Sequence, residues 1–199
     1  MKRSSILLLG TVLGCWLVGG GCATTEPTRF YVLASPQVTS SRAGDSNCPV
    51  LGIGPVEIPA YLDRPQIVVR LSPNEIQPSD FDQWGEPLVQ GISRVIADAI
   101  SKEICVQRVE YYPWKSSMSV DYQVTLRIRI FEGKPGEKAQ LVADWRLYGP
   151  DSRRPLREGT IEYSEPVPLG HHEHMVAAQS RLIQKAGSRI GQEIQKLSR

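Results

Sequence analysis

The chain has 199 residues, 23 Lys and Arg against 21 Asp and Glu, a formal net charge of +2, and 41% hydrophobic with 22% charged residues. That length and composition describe one globular domain of common size, with nothing to mark a second. Charge is nearly balanced and no run of Lys and Arg is interleaved with aromatics, which excludes a phosphate-tracking surface and so nucleic acid as a partner.

Lys2 and Arg3 form a positive n-region, and Ile6 through Val18 form an apolar h-region that stops at Gly19, Gly20, Gly21 and Cys22. This is a signal-peptide layout. Gly10, Gly14 and the triple glycine weaken the stretch as a permanent transmembrane helix. A cysteine directly after small residues at the end of an h-region resembles a bacterial lipobox, in which the thiol receives a diacylglyceryl group and the new N-terminus is then acylated. Cys22 is therefore the expected lipidation site. Gly19 stands where that pattern has leucine, and Cys15 is a rival acceptor, although Trp16-Leu17-Val18 would then carry an apolar run into the mature protein. Two or more acyl chains, palmitate-like in length, give a lasting membrane anchor where one gives a marginal one.

Residues 23–28 read as a tether, and Arg29-Phe30-Tyr31-Val32-Leu33 as a first strand rich in aromatic and β-branched residues. Ser, Pro, Gly, Asn and Asp dominate residues 35–49, which marks a loop. Val50 to Ile58 and Gln66 to Leu71 read as strands, and Pro59, Asp63 and Pro65 bracket a turn around Ala60-Tyr61-Leu62. From Leu88 to Ile104 apolar residues recur at helical spacing, with Ser93, Arg94, Asp98 and Lys102 opposite. Pro87 suits the first turn of that helix and Glu86 its positive dipole end.

Ser119 to Phe131 alternates cleanly. Val120, Tyr122, Val124, Leu126, Ile128 and Ile130 point one way; Asp121, Gln123, Thr125, Arg127 and Arg129 point the other. Gln140 to Tyr148 resumes as a strand after the turn at 133–138, so the pair predicts a β-hairpin. A further strand around Gly159 to Tyr163 precedes a final helix from about His171 to Leu197. The expected class is α+β: a predominantly antiparallel sheet with two amphipathic helices packed on it.

Cys48 and Cys105 fall in the expected mature domain, and an even pair in an oxidising periplasm is a disulfide candidate; buried free thiols or a metal pair are the alternatives, the latter without CxxC spacing. His171, His172 and His174 flank Glu173, but neighbours on a helix diverge by about 100° and no distant Cys or His completes a shell, so a polar helix start is expected and no metal. There is no GxSxG elbow, HExxH, P-loop or dinucleotide fingerprint, and neither a cofactor nor an enzymatic activity is expected.

Three blocks carry a resemblance: Arg29-Phe30-Tyr31-Val32-Leu33, the long run from Gly52 through Tyr61-Leu62-Asp63-Arg64-Pro65-Gln66 to Val68, and Trp84-Gly85-Glu86-Pro87-Leu88. With the hairpin ending in Ala143-Asp144-Trp145, they resemble the ABC-type transport auxiliary lipoprotein family, which includes PqiC-like intermembrane-transport lipoproteins. The resemblance implies an outer-membrane lipoprotein facing the periplasm. It would act as a non-enzymatic accessory beside MCE-domain proteins and ABC-type inner-membrane components that move lipids or other hydrophobic molecules. Phospholipid and further copies of the chain are additional candidate partners. In this organisation residues 1–21 are the signal peptide, 22–28 the lipidated tether and 29–199 the periplasmic domain. A structural envelope lipoprotein and, more remotely, an envelope hydrolase are the competing classes.

Tyr61, Asp63, Arg64 and Trp84 are the candidate partner-binding residues, because aromatic and arginine side chains anchor many interfaces. The alternative is structural: Asp63 capping the turn, Arg64 in an ion pair, Tyr61 on the core, and Trp84 stapling the helix start to the sheet.

Overall fold

Alternating and helical apolar patterns each leave one face to bury, and the computed structural model, which describes residues 26–37, 46–115, 118–150 and 153–197, resolves them into two sheets and two helices. In chain order these are β1 (Arg29–Tyr31), β2 (Val50–Glu57), a 3-10 turn (Ala60–Leu62), β3 (Gln66–Ser72), β4 (Glu75–Trp84), α1 (Leu88–Glu103), β5 (Arg108–Tyr111), β6 (Tyr122–Gly133), β7 (Lys138–Tyr148), β8 (Arg157–Pro166) and α2 (His172–Leu197). The class is α+β as expected, but the sheets are mixed. The larger runs β5-β2-β6-β7-β8 and the smaller β1-β4-β3. Pairs β1/β4, β2/β5 and β2/β6 are parallel, whereas β3/β4, β6/β7 and β7/β8 are antiparallel. The physical reason is connectivity: α1 carries the chain back over the sheet so that β5 and β6 both run alongside β2.

The β6/β7 hairpin is present, with one departure from simple alternation. Val124, Leu126 and Ile128 are buried on the helix side, but the register with β7 shifts between Ile128 and Ile130. Beyond this bulge Phe131 is 1% exposed in the core, whereas Ile130 is only half-buried. One extra residue has reversed the faces, which also sends Glu132 to the side occupied by β3.

Both helices lie on the inner face of the larger sheet and on each other. Their approach is close because α2 presents Gly187 to α1: a β-carbon there would lie 2.6 Å from Ala99 Cβ and 2.9 Å from the Ile96 carbonyl oxygen. Ile92, Ile96, Ile100, Ile183 and Ile190 are all fully buried around this contact. Cys48, before β2, and Cys105, after α1, are joined in a disulfide with a Cα–Cα distance of 5.5 Å, so the end of α1 is tied to the entry of the sheet.

Two strands lack a recognisable pattern in the sequence. β5 has only four residues at a sheet edge, and β4 carries Pro78 although it is the middle strand of its sheet. The proline is tolerated at an irregularity: Gln66 pairs with Gln83 and Val68 with Pro78, so residues 79–82 bulge out of the β3 ladder. That bulge turns Asp82 inward to a side-chain exposure of 3%. Asp82 accepts hydrogen bonds from Arg29 Nε at 2.9 Å, Tyr31 Oη at 2.9 Å and Ser79 Oγ at 2.7 Å, and lies 3.0 Å from His172 Nδ1. Burial alone would raise its pKa, but the hydrogen bonds from Ser79, Arg29 and Tyr31 and the charge of His172 outweigh it and hold the carboxyl below its ordinary value. One carboxylate thus joins β1, β4 and the start of α2.

Candidate partner-binding cleft

The turn after β2 and the segment between β4 and α1 are separated by some twenty residues of sequence and meet in space. The turn is built locally: Leu62 N–H donates to Pro59 O at 2.9 Å, Asp63 N–H to Ala60 O at 3.2 Å and Arg64 N–H to Leu62 O at 2.9 Å. Leu62, 4% exposed, pins it to the core. The second wall is fastened to the first by Trp84 N–H donating to Pro65 O at 2.7 Å, and to β1 by Gly85 N–H donating to Tyr31 O at 2.7 Å. Between them opens a cleft of about 340 Å³ whose walls include Asp63, Arg64, Trp84, Glu86 and Leu88.

Asp63, Arg64 and Pro65 are exposed at the rim. Asp63 caps the 3-10 turn through its backbone N–H, but among the described residues neither Asp63 nor Arg64 has a side-chain hydrogen bond or ion pair, so the ion-pair role weighed for Arg64 is not filled. Glu86, by contrast, is held by Arg94 of α1 at 2.5 Å, and Arg94 also donates to Ser35 Oγ at 2.7 Å and Leu33 O at 2.9 Å. Trp84 is 9% exposed and belongs to the core cluster, so most of its ring is packed in the core and only part reaches the cleft.

Tyr61 turns away from this cleft. Its hydroxyl donates to Glu132, whose carboxylate also receives Arg70 Nε at 2.7 Å, and the Arg70 guanidinium sits 5.5 Å from the Tyr61 ring centroid. Burial, and then the Glu132 hydrogen bond, push the Tyr61 pKa up to about 12. Burial also acts to raise Glu132, but hydrogen bonds from Arg70 and Tyr61 prevail and its carboxyl is held below the ordinary value. This group couples the smaller sheet to β6. Of the four residues singled out in sequence, Asp63, Arg64 and Trp84 are brought together and Tyr61 is not.

Cys22 and the rival Cys15 lie outside the described residues. Among the described residues no group of His, Cys, Asp and Glu could hold a metal ion. Of the histidines, His172 serves the Asp82 cluster, and His171 O accepts the His174 N–H at 3.2 Å in the first turn of α2. No helix among the described residues is long and apolar enough to cross a membrane. The sequence places Glu86 only at the positive end of the helix dipole, and nothing local signals its pairing with Arg94 or the role of Asp82.

The fold is shared with solved structures. An uncharacterised protein superposes with a TM-score of 0.67 at 16% identity, covering 85% of this chain and 99% of its own. Protein XCC0632 from Xanthomonas campestris, of the DUF330 family, superposes with a TM-score of 0.65 at 17% identity, covering 82% and 93%. No curated protein matches the sequence significantly. The family described as the ABC-type transport auxiliary lipoprotein component matches residues 31–191, a span that contains β2 through β8, both cleft walls and most of α2. The chain therefore belongs to the ABC-type transport auxiliary lipoprotein family.

Proposed function

We propose that the chain is a lipoprotein acylated at Cys22, anchored in the outer membrane and facing the periplasm, which serves an intermembrane transport system as a non-enzymatic accessory. Its partners in this reading are an MCE-domain protein and ABC-type inner-membrane components, and the cargo is lipid or another hydrophobic molecule. Membership of an auxiliary transport family supports the accessory role. Ala23 and Thr24 follow Cys22, without the aspartate that favours inner-membrane retention in enteric lipoproteins, which supports outer-membrane sorting.

The observation that carries the partner contact is the pair of charges Asp63 and Arg64, unengaged among the described residues, on a hydrogen-bonded turn at the rim of a cleft lined by Trp84 and Leu88. Charges held without internal partners are available to an interface, where reversal of sign penalises association. Arg64→Glu should keep the wild-type melting temperature and abundance yet fail to co-purify with the transport partner after crosslinking in native membranes. Undiminished co-purification moves the contact elsewhere. Cys22→Ala should release the domain from membranes, and retention of that variant with release by Cys15→Ala would transfer the anchor to Cys15.

A further inference from the structure

β1 and the residue that follows it turn an apolar side outward close to the expected anchor. Phe30 and Val32 are 66% and 56% exposed, whereas their alternating neighbours point inward, Tyr31 to Asp82 and Leu33 into the core at 2% exposure. Both outward side chains lie over Gly85, where an added β-carbon would meet Val32 Cγ1 at 3.2 Å and Phe30 Cβ at 3.9 Å. They form one patch. Its support is rigid, because Arg29 and Tyr31 on either side of Phe30 are both fastened to buried Asp82. Scattered exposed apolar residues need no explanation; this pair stands out because it is held rigidly within reach of the expected lipid anchor.

Covalent geometry limits what can face it. Seven residues separate Cys22 from Phe30, and over those eight backbone steps, at about 3.5 Å each, the Phe30 Cα lies no more than about 28 Å from the Cys22 Cα. α2, with 26 residues, alone extends about 39 Å. The tether is thus shorter than the domain it holds, and any slack brings β1 nearer the bilayer.

Resting on Cys22 as the acylated residue, we propose that Phe30 and Val32 insert into the leaflet that carries the Cys22 lipid, so that the bilayer itself covers this patch. The acyl chains supply the attachment and the patch supplies orientation. Because Gly85 both underlies the patch and lines the cleft, this contact fixes the height of the Asp63 and Arg64 rim above the headgroups.

The test uses the full acylated protein in phosphatidylethanolamine and phosphatidylglycerol vesicles, with an environment-sensitive fluorophore on Phe30→Cys, Val32→Cys or, as control, Glu162→Cys on β8. Labels at 30 and 32 should brighten at least twofold on reconstitution and be quenched by acyl-brominated lipid, and the label at 162 should do neither. Labels at 30 and 32 that behave like the one at 162 overturn the proposal. So does shielding of 30 and 32 to the same degree in unlipidated Cys22→Ala protein, which would indicate a protein contact. The mass of the N-terminal peptide separates the two readings: acylated Cys22 with water-exposed labels overturns this contact alone, whereas unacylated Cys22 overturns the anchor and the contact together.

Discussion

Asp82→Asn is the most informative single substitution for the fold, because it keeps the shape of the side chain and removes the charge on which three elements converge. Four side chains approach the carboxylate, and the amide would turn an NH2 toward groups that are themselves donors. Breaking a buried charged pair from one side costs about 3–5 kcal/mol. Arg29 and His172 retain side-chain exposures of 41% and 21% and can recover water. The loss should therefore fall near the lower end, about 3 kcal/mol, which for a domain of this size lowers the melting temperature by about 6–12 °C. Urea denaturation of the soluble domain at neutral pH measures it directly. The pH dependence carries the sign: a carboxyl whose pKa is depressed in the folded state contributes fully above its unfolded value of about 3.9, and that contribution is lost as pH falls through the folded value. Wild type should consequently lose stability below about pH 4 more steeply than Asp82→Asn. A loss under about 1 kcal/mol, with parallel acid profiles, would refute the hub role of Asp82.

The Cys48–Cys105 bridge closes a loop with a sequence separation of 57, for which chain entropy suggests about 4 kcal/mol. Thiol labelling of the oxidised, unfolded protein should find neither cysteine, and the double alanine variant should unfold at correspondingly lower urea; labelling of both cysteines would remove the idea. Gly187→Ala sets two effects against each other: about 1 kcal/mol of helix propensity gained and about 1–3 kcal/mol of overpacking. Since the new methyl would meet Ala99 Cβ at 2.6 Å and the Ile96 carbonyl at 2.9 Å, the variant should be less stable, and a raised melting temperature would contradict the close α1/α2 contact.

Legibility in the sequence followed the strength of local signals. α1, α2 and the β6/β7 hairpin are readable because each buries one face with a fixed period, and Val124, Leu126 and Ile96 lie in the core as that periodicity requires. The alternation groups Ile130 with them, yet it is only half-buried, because a bulge is a matter of one residue in a ladder and leaves no compositional trace. β4 was invisible for a related reason: its polar run and Pro78 are compatible with a strand only because residues 79–82 leave the β3 ladder, and that depends on Arg29 and His172 arriving from elsewhere. Parallel pairing was also hidden, since strand direction is decided by long-range connections and the sequence pattern of a half-buried strand is the same either way. At the site, Asp63, Arg64 and Trp84 were readable as blocks, but the separation of Tyr61 from them depends on Glu132, whose orientation follows from the same bulge.

The cleft divides into a frame and a rim that should respond independently. The frame is Leu62, Trp84 and Leu88, all buried, together with backbone hydrogen bonds that use no side chain of Asp63 or Arg64. Leu62→Ala should therefore cost about 2–5 kcal/mol through lost burial and the cavity left behind. Arg64→Glu should stay within about 0.5 kcal/mol of wild type, since the substitution is exposed and breaks no internal pair. Association gives the opposite ranking. Measured at a temperature where both variants are folded, Leu62→Ala should retain partner binding per folded molecule, because the turn keeps its local hydrogen bonds, and Arg64→Glu should lose it. If Leu62→Ala abolishes binding while still folded, the partner reads the shape of the cleft and not its charged rim; if both variants bind normally, the two family segments meet here to build the fold and the partner docks on another surface.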